Sequence, residues 1–407
     1  MEKIRIGMIG FGGRGYGLLT HILLPRENVE VTAVCDLYPD RMEKAAAAVE
    51  EKKGNRPFAT ANYKEVTCRD DVDAVVISCA WEPHIDIAID AMEHGKYTAV
   101  EVGGAYSLND CFRLVEAYER TGMHCMMLEN CCYDRRELMI TRMVREGLFG
   151  DIVHCAGGYQ HDLRSEIVFG EENRHYRLRN YTHRNCENYP THELGPIAKL
   201  LDINRGNRMI SLTSTASCAK GLHEYIRGSD KANKELLKVD FAQGDVVTTV
   251  IKCAHGQTIV LTLDTTLPRC YTRNFTVRGT KGMYEGVTDA IFMDDMDPKL
   301  EFNLPGTWGN AKDFVEKYEH PIWDKFLHDG VRGGHGGIDW LEFDAFLGAI
   351  ERGIEPPIDT YDTAAWMAIT PLSEESIANG GAPVAIPDFT HGKWMNREPA
   401  PEWEYSI

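Results

Sequence analysis

"IRIGMIGFGGRGYGLL", residues 4–19, decides the fold. A short β-rich run enters Gly10-Phe11-Gly12-Gly13-Arg14-Gly15 and leaves it as a helical pattern, so a G-x-G-x-x-G stands between a strand and a helix. That context gives the motif a physical meaning. Glycines permit a tight turn and close backbone approach to a pyrophosphate, which then sits where the free N–H groups and dipole of a helix N-terminus favour an anion. The next strand, "VTAVCD" (31–36), ends in Asp36 about 20 residues downstream. A carboxylate there accepts from a ribose 2′-hydroxyl and repels a 2′-phosphate, which favours NAD over NADP.

The alternation continues through RMEKAAAAVEEKK, AVVISCA, HIDIAIDAMEHG, YTAVEV and NDCFRLVEAYERTG, up to about residue 125. Strands alternating with helices of this length predict a doubly wound parallel sheet, hence an α/β fold with a Rossmann domain over 1–128. Beyond HCMMLEN (124–130) and the helix RRELMITRMVREGLFG the pattern changes to longer alternating strands: DIVHCAGGYQHDL, RMISLTSTAS, DVVTTVIKC, QTIVLTLDT and NFTVRGTKGMYE. Hairpin turns at CAHGQT and RGTKG join several of them, predicting a mostly antiparallel sheet in an α+β domain over 129–407. A helix near 360–380, broken near Pro371, is expected to close the structure. The segment 164–191 is too long for a mere connection, and its Tyr176, Arg177, Tyr181, His183, Arg184 and Tyr189 suit an ordered site lining.

Composition narrows the partners. The formal charge of −18 over 407 residues repels nucleic acid and anionic membrane at long range. No apolar run reaches the roughly 18–20 residues of a membrane span, and MEKIRIGMIGF shows no export signal. Twelve cysteines without a Cys-x-x-Cys pair fit reduced thiols, so a cytoplasmic protein acting on a small polar molecule is expected. His183, Cys186, His192 and Glu193 are ligand types that zinc accepts, but their spacing matches no common zinc pattern and no second histidine follows His192-Glu193. No metal is expected.

The strand, glycine turn, acid-terminated strand and β-rich second domain resemble the Gfo/Idh/MocA oxidoreductases. Those enzymes carry Glu-Lys-Pro where this chain has Glu101-Val102-Gly103-Gly104, without the lysine. A closer resemblance covers nearly the whole chain. Glu129-Asn130-Cys131-Cys132-Tyr133, Gly157 to Leu163, Tyr189-Pro190-Thr191-His192, "DINRGNR" (202–208), "HGG" (335–337) and "ITPLSE" (369–374) are similar to glycoside hydrolase family 109, whose members are NAD-dependent α-N-acetylgalactosaminidases. The resemblance implies a homo-oligomer, dimer or tetramer, that takes a glycoside or glycan terminus as substrate and keeps a tightly bound, recycled NAD. It implies cofactor contacts at Gly10, Gly12, Gly13, Arg14, Gly15, Asp36, Trp81, His84, Glu101, Val102, Asn130 and Tyr189. Sugar contacts are implied at Tyr159, Arg177, Tyr189, Pro190, Thr191, His192 and Tyr271, and catalytic roles at Glu129, Tyr159, His192 and Tyr271.

Most glycosidases place two carboxylates about one bond, and NAD-dependent ones are exceptions. The family's route, as the resemblance implies it, oxidises sugar carbon 3, acidifies the hydrogen on carbon 2, eliminates the aglycone, adds water and returns the hydride. A net sugar dehydrogenase is the alternative, in which NADH accumulates. His192 precedes the apolar run IAKLLDI, which places it at a helix N-terminus where the dipole disfavours an imidazolium. The tyrosines can donate to sugar oxygens while packing on the ring, and Arg177 offers a fork of donors. The sequence leaves open which of His192, Tyr159 and Tyr271 acts as base and which as acid.

Overall fold

The computed structural model describes residues 3–398 and 400–407. The chain forms two compact units: Met1–Tyr133 with Phe326–Met367 and Pro399–Ile407, and Asp134–Lys325 with Ala368–Glu398.

In the first unit, β1 (Ile4–Ile9), β2 (Val29–Cys35), β3 (Phe58–Thr60), β4 (Ala74–Ile77), β5 (Tyr97–Glu101) and β6 (Cys125–Leu128) form a six-stranded sheet of order 3-2-1-4-5-6. All its pairings are parallel. Parallel strands need crossovers, which bury both faces, and β4 and β6 are accordingly apolar and buried throughout. The order reverses between β1 and β4, so the crevice at the carboxyl ends of these strands is the ligand position of this topology. The edge strand β6 is covered rather than left open: Cys125 N donates to Thr360 Oγ1 (3.0 Å) and Met127 N to Thr363 Oγ1 (3.1 Å). These hydroxyls from helix Thr360–Met367 take the place of a neighbouring strand.

A single division of the chain at residue 128 assigns everything beyond it to the second domain; the packing instead returns 326–367 to the first unit. Helix Ile338–Arg352 is buried on most faces and packs on the turn Asn130–Tyr133, with Arg26 over its Trp340 ring at 3.9 Å. An apolar helix pattern states that a helix is buried but not against what, so periodicity could not assign it. The closing helix is likewise two helices, Thr360–Met367 and Ile369–Ala378, one in each unit. Their break falls at Ala368, and Pro371 lies in the first turn of the second, where proline is tolerated.

In the second unit β7 (Ile152–Gly157), β8 (Met209–Ala216), β9 (Val246–Cys253), β10 (Thr258–Asp264), β11 (Thr276–Gly279), β12 (Gly282–Glu285), β13 (Ala290–Met293) and β14 (Val384–Ala385) form one sheet of order 13-12-11-7-10-9-8-14. Every pairing is antiparallel except β7 with β10. Burial alternates along β9 and β10, so one face is covered and the other is not. Helix Thr191–Leu200 packs on β7 and helix Ile369–Ala378 on β8. The stretch 164–191 is ordered, with helices Arg164–Val168 and Arg177–His183.

Candidate active site

Each unit carries one constellation. In the first, β1 ends in a turn whose glycines are there for two reasons. Gly10 has φ +96°, and a Cβ on it would lie 2.4 Å from Cys79 N, while one on Gly15 would lie 2.1 Å from Gly10 O. These two allow the helix to seat against the strand ends. Gly12 and Gly13 are uncrowded instead: a Cβ at Gly12 would meet only Arg41 Nη1, at 3.9 Å, and one at Gly13 nothing within 4 Å. The turn therefore offers bare backbone to a ligand, as pyrophosphate binding requires. At the end of β2, Asp36 accepts from Phe11 N (2.6 Å) and Tyr38 N (2.9 Å), which holds the carboxylate beside the turn with lone pairs to spare for ribose hydroxyls. These features fit NAD.

Arg14 leaves this turn to join Glu101 at the end of β5 (2.7 Å) and Asp339 of helix Ile338–Arg352 (2.8 Å). Asp339 also accepts from Asn130 Nδ2 (2.7 Å) and lies 2.8 Å from His335 Nδ1. Burial opposes the charge on Arg14, but Glu101 and Asp339 outweigh it and raise its pKa above the ordinary range. Burial likewise opposes ionisation of Asp339, yet the hydrogen bonds from His335 and Arg14 hold its carboxyl well below the usual range. Trp81 donates from its indole to Val102 O (3.1 Å). A Cβ on Gly103 would lie 2.3 Å from that indole nitrogen, so the Val102-Gly103 backbone is shaped to Trp81. His84 is buried with Nε2 at 3.1 Å from Cys79 O, and burial pushes its pKa down to about 4. Glu129, fully buried after β6, accepts from Cys131 N (3.2 Å) within its own turn.

The second unit brings together Tyr159, Arg177, Tyr189, His192 and Tyr271. Four stretches supply them: the extension of β7, helix Arg177–His183, helix Thr191–Leu200 with the residues leading into it, and the run before β11. The Tyr159 ring lies 4.3 Å from Tyr189, 5.3 Å from His192 and 6.3 Å from Tyr271, centroid to centroid. Tyr189 and His192 stand edge to face at 4.8 Å. Arg177 is buried, pairs with Glu166 Oε1 at 2.6 Å and lies 5.1 Å over the Tyr189 ring. Burial works against its charge, but Tyr176, Tyr159 and Glu166 raise its pKa above the ordinary range. Pro190 caps the helix, Thr191 is its fully buried first residue, and His192 follows in its first turn.

Main-chain bonds fix this cluster. Asp264 N donates to Tyr159 O (3.1 Å), His161 N to Asp264 O (2.9 Å) and Thr272 N to Gln160 O (3.0 Å). Helix Ile369–Ala378 pins the approach to Tyr189: Glu187 N donates to Ser373 Oγ (2.8 Å) and Thr370 Oγ1 to Glu187 O (2.6 Å). Burial pushes the Glu187 carboxyl up to about 8.

Side chains that the sequence does not single out also take part. His161 Nδ1 is 2.9 Å from the Tyr159 hydroxyl, and burial together with Arg177 lowers its pKa. The i, i+2 spacing of Tyr159 and His161 on an extended run puts both on one face and is the signal for it. Asp339, Glu166 and Arg273 have no local signal, because their partners lie far away or across a loop. No three of His183, Cys186, His192 and Glu193 come within ligand distance of one another.

Comparisons with known proteins agree with both halves. The family described as "Oxidoreductase family, NAD-binding Rossmann fold" matches residues 4–129, and "Glycosyl hydrolase 109, C-terminal domain" matches residues 133–396. The chain belongs to glycosyl hydrolase family 109. An alpha-N-acetylgalactosaminidase of Tannerella forsythia is 37% identical over 421 residues, covering 98% of this chain and 88% of the relative. Another of that name from Shewanella oneidensis is 36% identical, with 98% and 88% covered. Among solved structures, scyllo-inositol dehydrogenase of Lactobacillus casei with NAD(H) and scyllo-inositol superposes with a TM-score of 0.64 at 14% identity, covering 95% of this chain and 99% of that one. WlbA dehydrogenase of Bordetella pertussis, in complex with NADH and UDP-GlcNAcA, gives 0.64 at 16% identity, with 95% and 98% covered. These dehydrogenases share the fold. The family 109 protein is thus an NAD-dependent glycosidase built on it.

Proposed function

We propose that this family 109 enzyme releases terminal N-acetylgalactosamine, α-linked, by transient oxidation at sugar carbon 3, elimination, water addition and re-reduction. The observation that carries the reading is the ring cluster of Tyr159, Tyr189, His192 and Tyr271 beside buried Arg177, on a chain that also holds a dinucleotide turn. NAD, when bound, supplies reversible hydride acceptance at sugar carbon 3 and leaves each turnover unchanged, which suits a tightly held, recycled cofactor. Gly12, Gly13 and Asp36 would hold it, with Arg14, Glu101, Asn130, Trp81, Val102 and His84 shaping the site and Tyr189 touching it.

The chain supplies the proton transfers. His192 is the acceptor for the sugar protons, being a partly buried imidazole within the ring cluster. Tyr159 shares its hydroxyl proton with His161 Nδ1, so proton gain or loss at the phenol can be passed to the imidazole. Arg177 places a lasting positive charge by the phenols of Tyr159 and Tyr189, which favours developing negative charge on an enolate oxygen nearby. Tyr271, half exposed, closes over the sugar, and Pro190 and Thr191 shape its rim. Glu129 takes an active-site role in this reading. We further assign the enzyme to the cytoplasm as a dimer or tetramer, which fractionation and light scattering test.

The decisive assay uses nitrophenyl α-N-acetylgalactosaminide in deuterated water. Nitrophenol release with deuterium at carbon 2 of the sugar and no net NADH is expected. Release without exchange leaves a hydrolase but removes the elimination route, and stoichiometric NADH makes the protein a net sugar dehydrogenase.

A further inference from the structure

Arg273 reaches three elements of the second unit. Its Nη2 lies 2.8 Å from Asp134 Oδ2 and 2.9 Å from Glu137 Oε1, at the start of helix Arg135–Arg145, and its Nε lies 3.4 Å from Glu193 Oε1. Glu193 is the neighbour of His192 and is fully buried, with Glu137 almost so. Arg273 itself follows Tyr271 by two residues, and its carbonyl accepts from Gly158 N (2.9 Å), beside Tyr159. The Glu193 side chain packs against β7 so closely that a Cβ on Gly157 would lie 2.6 Å from Glu193 Cγ. Arg273 thus links the segment that carries Tyr271 to that of Tyr159 through its main-chain carbonyl and to that of His192 through its guanidinium.

Stability alone does not account for three acids about one base. Burying charges costs several kcal/mol each before they are paired, and well-packed apolar replacements of such groups are often neutral or stabilising. Burial, with Asp134 and Glu193 nearby, pushes the Glu137 carboxyl well above its usual range, while Arg273 draws it back toward the charged form. What such an arrangement adds over an apolar one is direction: charged partners fix distance and angle, whereas apolar contacts tolerate slippage.

We propose that Arg273, Glu193, Glu137 and Asp134 form a charge clamp that sets His192 and Tyr271 in register with Tyr159. All four are positioning residues. The inference rests on the reading of His192 as the proton acceptor of the sugar reaction, and its test is chosen to separate the two.

Glu193→Gln keeps shape and removes one charge. Its kcat is expected to fall about 10- to 100-fold, the scale of a misplaced catalytic group, with KM within about threefold and the melting temperature close to wild type. Arg273→Lys is expected to retain more activity than Arg273→Met, and adding Glu193→Gln to Arg273→Met to restore part of the loss, because it removes an uncompensated buried charge. Independently of activity, ¹³C-histidine NMR should show the His192 resonance, assigned by its loss in His192→Gln, displaced in Glu193→Gln while that of His84 stays in place. An unmoved His192 resonance overturns the clamp, as does a kcat loss that simply tracks melting temperature across the four variants. Failure of the wild type to cleave the glycoside would sink the functional reading, and the NMR comparison would still judge the clamp.

Discussion

The two constellations are built from different material. At the first unit's turn the working atoms are mostly main chain: bare N–H groups of Gly12 and Gly13, with glycines at 10 and 15 packed to 2.4 Å and 2.1 Å of neighbouring backbone were a Cβ present. In the second unit they are side chains, Tyr159, Arg177, Tyr189, His192 and Tyr271, gathered from residues more than a hundred positions apart. A backbone site is intolerant of added atoms and indifferent to most other changes nearby. A side-chain site tolerates backbone variation but loses its chemistry one group at a time.

Gly10→Ala should break the first site outright. Positive φ and the contact with Cys79 together cost on the order of 3 kcal/mol or more, so NAD binding by fluorescence and thermal stability should both fall. Normal NAD affinity in this variant would show that the turn is not a backbone cradle. His192→Ala should do the reverse: about 10²- to 10⁴-fold lower kcat, the range of a lost acid–base group, with NAD affinity and melting temperature unchanged. Loss of NAD binding in His192→Ala would blur the distinction between the two sites. Asp36→Ala sits between, since one side chain serves the backbone site; NAD should bind about 10- to 100-fold more weakly, as expected for a hydrogen bond to a charged group, while NADP, no longer repelled, gains relative to NAD.

The smallest effect concerns pH, and its sign differs between the units. Glu187 in the second unit has its pKa raised from 4.5 to about 8 by burial. Between those values the unfolded chain ionises and the folded one does not, so the stability it contributes is present below pH 4.5 and lost as pH rises to about 8. His84 in the first unit is lowered from 6.5 to about 4, so its contribution is present above pH 6.5 and lost as pH falls to about 4. Hydrogen exchange followed from pH 5 to 8 should show Glu187→Gln raising protection around helix Ile369–Ala378 increasingly toward pH 8, by a melting shift of roughly a few degrees. A constant difference across that range would mean that Glu187 is ionised throughout.

Much of the fold is legible in the chain because its signals are local. The glycine turn, the acid at the end of β2, the strand and helix alternation and the hairpin turns at CAHGQT and RGTKG each lie within a dozen residues. The catalytic candidates are less so. Tyr159 and Tyr271 become neighbours only because Gln160 pairs with Thr272, a long-range bridge that no periodicity encodes. His161 could be found from its spacing to Tyr159. Arg273, Asp339 and the assignment of helix Ile338–Arg352 could not, since an ionisable residue in an apolar helix shows that it is buried and leaves its partner unnamed.

By itself, then, the amino-acid sequence determined the class of both units, the dinucleotide turn with its acid, and the family whose motifs surround His192, because these depend on residue type and short spacing. Only the tertiary structure decided that residues 326–367 return to the first unit, that Arg14, Glu101 and Asp339 form one network, and that Arg273 joins the start of helix Arg135–Arg145 to Glu193 beside His192. Those facts depend on which surfaces meet after folding. Burial and charge pairing act through space, over separations along the chain that local patterning does not carry.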